Sequence, residues 1–142
     1  MIRFLTHECT YVLRKKRRIT LLIKSILEEH GKRPGDINFV MVGDEYLLQV
    51  NKDFLAHEYN TDVITFPGDY KEGFVSGDIL ISVDRVRENC LVYQVTEENE
   101  MLRVMVHGIL HLLGYDDTSS RMKQAMEKKQ EEYVAQYFDC ST

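Results

Sequence analysis

The spacing of apolar side chains divides the chain into alternating strands and helices. Residues 2–5 are short and apolar enough for a strand. Across residues 17–30 the positions Ile19, Leu22, Ile23, Ile26 and Leu27 recur at three- and four-residue steps, the inner face of a helix that Gly31 stops. Residues 37–42 are a β-branched run suited to a strand. Asp44 is placed to cap a helix whose buried face is Leu47, Val50, Asn51 and Phe54. Residues 62–66 and 78–83 read as two further strands, joined by a glycine-containing connection (67–77) with room for a mobile hairpin loop. Asp84 can cap a short helix running to Cys90. Thr96 caps a longer one over 97–113, with Glu97 and Glu98 favourably set against its dipole. That helix is apolar on nearly every side, which predicts a central, buried position. Ser119 or Ser120 opens a last helix with Met122, Met126, Tyr133 and Tyr137 as its inner stripe. The order β-α-β-α-β-β-α-α-α predicts an α+β fold, a single small sheet of about four strands packed with about five helices.

Length and composition narrow the class. The chain has 142 residues, enough for one domain, 1–142, with a core of its own. No apolar run approaches the ~20 residues of a membrane span. The N-terminus lacks the charged-apolar-small pattern of a signal peptide, so a cytoplasmic protein is expected. Cys9, Cys90 and Cys140 are scattered without CxxC spacing and read as reduced thiols. The net charge of −5 is unevenly spread: residues 1–35 carry +6 and the remainder −11. The densest basic run is Arg14, Lys15, Lys16, Arg17 and Arg18, either a solvated helix start or a contact to RNA phosphates.

The chemistry concentrates in His107-Gly108-Ile109-Leu110-His111-Leu112-Leu113-Gly114-Tyr115-Asp116-Asp117. Two histidines four apart on a helix share a face, with Cβ atoms about 5–6 Å apart, so both imidazoles can reach one metal ion. Core histidines satisfied by backbone carbonyls are the plainer reading. Two on the most apolar helix each require a polar partner, and a shared metal provides for both. Gly114 ends the helix and turns the chain back, so that an acidic residue just beyond can supply a third ligand. Two histidines and a carboxylate leave an open position on tetrahedral Zn²⁺, the arrangement of a catalytic site. The zinc helix of peptidases carries Glu after its first His, whereas here that residue is Gly108, which has no proton acceptor.

This string closely resembles the signature of the YbeY family of bacterial metal-dependent endoribonucleases. The stretch from Asn51 and Phe54 through Thr61, Asp62, Val63, Ile64, Thr65 and Phe66 to Pro67 is similar to a second family segment, and Gly77-Asp78-Ile79 to a third. The resemblance implies an α+β fold and one zinc ion on three protein ligands. It also implies cleavage of single-stranded RNA at the 3′ end of small-subunit rRNA during ribosome biogenesis. Its implied partners are RNA and the small ribosomal subunit, not DNA or a membrane. His107 and His111 match the first two ligands. The family's third is usually His, six positions after the second, where this chain has Asp117, itself a competent oxygen ligand. Asp116 is an alternative ligand. Asp116 and Asp62 are also candidates for orientation or proton handling, and Asp62 could equally tie a strand end. Many members carry Arg after the aromatic residue to engage phosphate; here Leu55 follows Phe54. His57 could take part of that role if protonated, or be a surface loop histidine. His7 and His30 carry no partner signal. Three functions remain: the endoribonuclease, a ribosome-assembly factor whose zinc is mainly structural, and a hydrolase of another substrate.

Overall fold

The computed structural model describes residues 1–55, 61–69 and 71–139. Its elements follow the order that the apolar spacing predicts: β1 (Ile2–Thr6), α1 (Lys16–Glu29), β2 (Arg33–Val42), α2 (Asp44–Leu55), β3 (Val63–Pro67), β4 (Phe74–Ser82), α3 (Val83–Val92), α4 (Glu97–Leu112) and α5 (Ser120–Asp139). The strands form one sheet in the order β1-β2-β4-β3. β1, β2 and β4 are parallel, while β3 runs antiparallel to β4 along one edge. The fold is α+β.

Period-two alternation sorts the strand residues between the two faces. Ile37, Phe39 and Met41 of β2, with Ile79 and Ile81 in register on β4, are buried in the larger core with α1, α4 and α5. Each such side chain contributes roughly 1.5–3 kcal/mol by leaving water. The alternate residues Val40, Val42, Leu80 and Ile64 turn to the other face, against Leu47 and Val50 of α2. α4 is the central helix, as its composition predicts, with Met101, Leu102, Val104, Met105, Val106, Ile109 and Leu110 all buried. It lies close on β4 at Gly108, where an added Cβ would stand 2.7 Å from Ile79 Cγ2. The position at which a peptidase helix holds its glutamate therefore has no room for a side chain.

Several local expectations are revised. β4 begins at Phe74 because the turn before it is tight: Gly68 N–H donates to Ser76 O (2.9 Å) and Arg33 N–H to Gly73 O (2.8 Å), which also lengthens β2. Asp44 and Asp84 do not cap their own helices. Ser82 Oγ accepts from Arg85 N–H to cap α3, while Asp84 Oδ2 accepts from Asp44 N–H at the start of α2. Asp44 in turn accepts from the Ser82 hydroxyl (3.0 Å) and faces Arg85 (3.1 Å), so the helix starts are tied to each other. Phe54 is not on the buried face of α2 but 70% exposed, because the sheet face beneath that end of the helix is left open. Met122 is likewise 40% exposed, and the inner residues of α5 are Met126, Gln130, Tyr133, Val134 and Tyr137.

Candidate metal centre

The last turn of α4 ends where Gly114 adopts φ +104°, a conformation that glycine takes without a Cβ penalty. Gly114 N–H donates to His111 O and Tyr115 N–H to Leu110 O, both at 3.0 Å, so the chain folds back beside its own helix. Tyr115 is braced by His30, whose Nε2 lies 2.9 Å from the Tyr115 hydroxyl and whose Nδ1 lies 2.8 Å from Ile26 O. His30 thus has a structural role for which its sequence position gives no signal.

The fold-back opens a cavity of about 390 Å³ between α4, the β3 edge and the end of α2. His107, His111, Asp117, Asp62, Asn51 and Thr61 supply its polar lining, and Leu55, Val63 and Ile64 the apolar part. The two imidazoles meet there with Nε2 atoms 3.0 Å apart and ring centroids 4.6 Å apart. His107 Nδ1–H donates to Gln130 Oε1 (2.7 Å), and the Gln130 amide nitrogen in turn donates to Glu131 Oε2 (3.2 Å). That orientation places the amide oxygen against His107 and fixes the tautomer with its lone pair on Nε2. Arg103 grips Glu131 through Nε (2.8 Å) and Nη2 (2.9 Å) and reaches Glu100 at 3.0 Å. The Arg103 bond holds the Glu131 carboxyl below the usual glutamate range, whereas burial pushes the Glu100 carboxyl above it. His111 is held below the ordinary histidine range, first by burial and then by the neighbouring His107; Asp117, a hydrogen bond donated by the ring to the Tyr115 backbone carbonyl, and Asp116 act the other way. A neutral His111 with its Nε2 facing that of His107 is the state a metal requires.

The proposed site residues separate in space. His107, His111, Asp117 and Asp62 all reach the one cavity. Among the described residues, however, no three His, Cys, Asp or Glu side chains gather closely enough to hold a metal ion, so Asp117 stands off from the histidine pair. Two imidazole nitrogens brought together at one point, with a carboxylate on the same wall, nonetheless fit a divalent cation in donor chemistry. Asp62 also ties a strand end, its backbone oxygen accepting from Ser82 N–H (2.9 Å). Asp116 does not line the cavity. Its Oδ1 accepts from the Thr118 hydroxyl (2.7 Å) and amide (3.1 Å), which hold its carboxyl below the usual range and shape the loop. His57 lies outside the described residues. In the basic run, Lys15 pairs with Glu98 (3.3 Å), and Arg18 donates to the Tyr137 carbonyl and lies 4.2 Å over its ring. Arg14, Lys16 and Arg17 are exposed.

Sequence reasoning missed Gln130. The available signal was a polar residue four positions after Met126 and three before Tyr133, inside an otherwise apolar stripe.

Fold and cavity together define a small α+β domain that carries a histidine pair on one buried helix, facing a polar cavity beside a sheet edge. The family model for endoribonuclease YbeY matches residues 6–138, and the chain belongs to that family. Relatives named endoribonuclease YbeY include the Cytophaga hutchinsonii protein, 38% identical over 130 residues that span 92% of this chain and 91% of its own length. The Parabacteroides distasonis protein is 40% identical over 122 residues, 85% of this chain and 84% of its own. A Thermotoga maritima protein solved in solution shares the fold, with a TM-score of 0.67 and 29% identity over 98% of this chain and 90% of that one. No helix among the described residues is long and apolar enough to cross a membrane.

Proposed function

We propose that the chain is a single-strand-specific endoribonuclease working with one zinc ion, and that it matures the 3′ end of small-subunit rRNA during ribosome biogenesis in the cytoplasm. The observation that carries the reading is the histidine pair, whose Nε2 atoms meet at 3.0 Å in the wall of a polar cavity while Gln130 engages the far side of His107. The names of the relatives supply the substrate class. His107, His111 and Asp117 would hold the zinc, which when bound supplies Lewis acidity for phosphodiester hydrolysis. Gln130 keeps His107 in the ligating tautomer. Thr61 offers its hydroxyl to the sugar-phosphate within the cavity, and Asp62 is the carboxylate there assigned to hold a proton of the attacking hydroxyl. Arg14, Lys16 and Arg17 would meet phosphates farther along the strand. Leu55 provides no guanidinium for the phosphate, which favours a second reading as a ribosome-assembly factor with a structural zinc.

The deciding experiment is cleavage of a single-stranded fragment of the small-subunit rRNA 3′ end by purified protein and by His111→Ala. Cleavage by the wild type alone, lost with chelator and restored by Zn²⁺, is the expected result. Equal cleavage by both proteins would overturn the site. Cleavage by neither would move the function to the assembly factor. Full zinc occupancy in Asp117→Ala would remove that residue from the ligand set.

A further inference from the structure

The sheet face opposite α4 is only half covered. α2 packs over Val42 and Ile64, and beside it an open groove of about 630 Å³ remains. Tyr46, Val50 and Phe54, at four-residue steps on one side of α2, form a wall about 12 Å long. Aromatic pairs stand at its two ends: His7 against Tyr46 with ring centroids 4.6 Å apart, and Phe54 edge-on to Phe66 at 6.1 Å and 81°. Leu5, Val40 and Leu80 complete the apolar floor, and on it Asn38 Nδ2 donates to Asp78 Oδ1 at 3.0 Å. The Asn38 amide oxygen and the second Asp78 oxygen remain as acceptors on that floor. Among the described residues, no Lys or Arg lines the groove.

The groove and the histidine cavity are bordered by the same two elements, α2 and the outer strand β3. α2 borders both, Val50 and Phe54 lining the groove while Asn51 and Leu55 line the cavity. β3 borders both as well, Phe66 lining the groove and Val63, Ile64 and Thr65 the cavity. A single strand whose phosphodiester lies at His107 and His111 can therefore pass over the β3 edge and lay its next bases along α2.

We propose that this groove is a nucleobase subsite, taking unpaired bases of the RNA strand adjacent to the scissile phosphodiester by stacking on Phe54, Phe66 and Tyr46. This rests on the endoribonuclease reading. Single-strand recognition commonly stacks two or three splayed bases on aromatic side chains of a sheet face. The floor selects the occupant. An apolar peptide side chain would bury the Asn38 and Asp78 oxygens without donors, whereas the amino edge of guanine, cytosine or adenine supplies N–H groups to both. With no Lys or Arg among the described residues of the groove, stacking dominates and this subsite adds little to the salt dependence of binding.

The test is fluorescence anisotropy of a short, labelled, mixed-sequence oligoribonucleotide and of a ribose-phosphate chain of equal length without bases. Both are titrated with His111→Ala protein, which leaves the probe intact. The base-bearing probe is expected to bind more tightly. Adding Phe54→Leu should weaken it about tenfold, while Phe54→Trp should retain it, because a leucine preserves apolar volume and a tryptophan preserves the π-face. Asp78→Asn should weaken a guanine-rich probe more than a uridine-rich one. Phe54 is mostly solvent-exposed, so these replacements disturb no core, and circular dichroism checks it. Equal binding of the two probes would overturn the proposal. So would unchanged affinity in Phe54→Leu, which would point instead to an apolar protein segment. Cleavage is scored separately: cleaving protein with base-independent binding loses only the subsite, and base-dependent binding without cleavage loses only the nuclease.

Discussion

At the N-terminal end of α4 the charged groups find partners within the fold. Glu97 pairs with Arg87 at 2.8 Å and Glu98 with Lys15 at 3.3 Å, Thr96 caps Asn99 N–H at 3.0 Å, and Arg18 closes the nearby end of α5. At the other end, about 20 Å along the same helix, His107 and His111 turn their Nε2 atoms only toward each other, while Gln130 occupies the far side of His107. The first arrangement closes a structure. The second leaves converging lone pairs beside a cavity, and convergence of that kind is what a site needs. Density of charge is the weaker guide: of five basic residues in the run, Lys15 and Arg18 are engaged in holding helices together.

Mutations can break this contrast at either end. The largest effect is expected from His111→Ala, which should reduce RNA cleavage by more than about a hundredfold, since even outer partners of metal ligands matter ten- to a hundredfold. Gln130→Leu keeps the apolar packing but frees the His107 tautomer, and zinc affinity measured against a competing chelator should fall roughly 10- to 100-fold. Gly108→Ala tests the close approach of α4 to β4. Its methyl would meet Ile79 at 2.7 Å, and urea denaturation should show a loss of roughly 1–3 kcal/mol.

Glu131→Gln should act through pH. The folded carboxyl lies below its ordinary value of 4.5 because of Arg103. The advantage of wild type over Glu131→Gln in thermal melts should therefore be fully present above that pH and vanish as the pH falls through the folded value. A constant difference from neutral pH down to pH 3 would separate Glu131 from the Arg103 pair. The smallest effect belongs to the other end of α4. Neutralising Arg14, Lys16 and Arg17 together should leave folding unchanged and reduce the salt slope of single-strand RNA binding by about 2, at roughly 0.7 per phosphate contact. An unchanged slope would make the run a solvated face.

Element order and the identity of the central helix were legible because apolar periodicity is local and redundant: an all-round apolar segment such as residues 97–113 has few places to go except the middle. The histidine pair was legible for the same reason, since a four-residue step on a helix fixes which side chains meet. Phe54 and Met122 were misplaced because periodicity gives the face a helix would bury, not how far its partner layer extends. Here an open groove lies between Phe54 and the sheet face, and the first turn of α5 leaves Met122 partly exposed. Thr96 and Ser119 cap their helices as expected, but two other caps went astray similarly. Asp44 and Asp84 are good capping residues on sequence grounds, yet each finds its partner on the other helix start.

What this sequence determined by itself was therefore the set of short-range relations: which residues form each element, which share a face, and that His107 and His111 lie together before a glycine turn. Only the tertiary structure decided that Gln130 orients His107, that Arg103 and Glu131 stand behind Gln130, that Gly108 is small because Ile79 presses against it, and that two of the basic side chains serve the fold. Apart from the neighbouring Gln130 and Glu131, those contacts join residues from 23 to 119 positions apart on different packed elements. Their partners are chosen by how the helices settle on the sheet, and no local spacing rule carries that information.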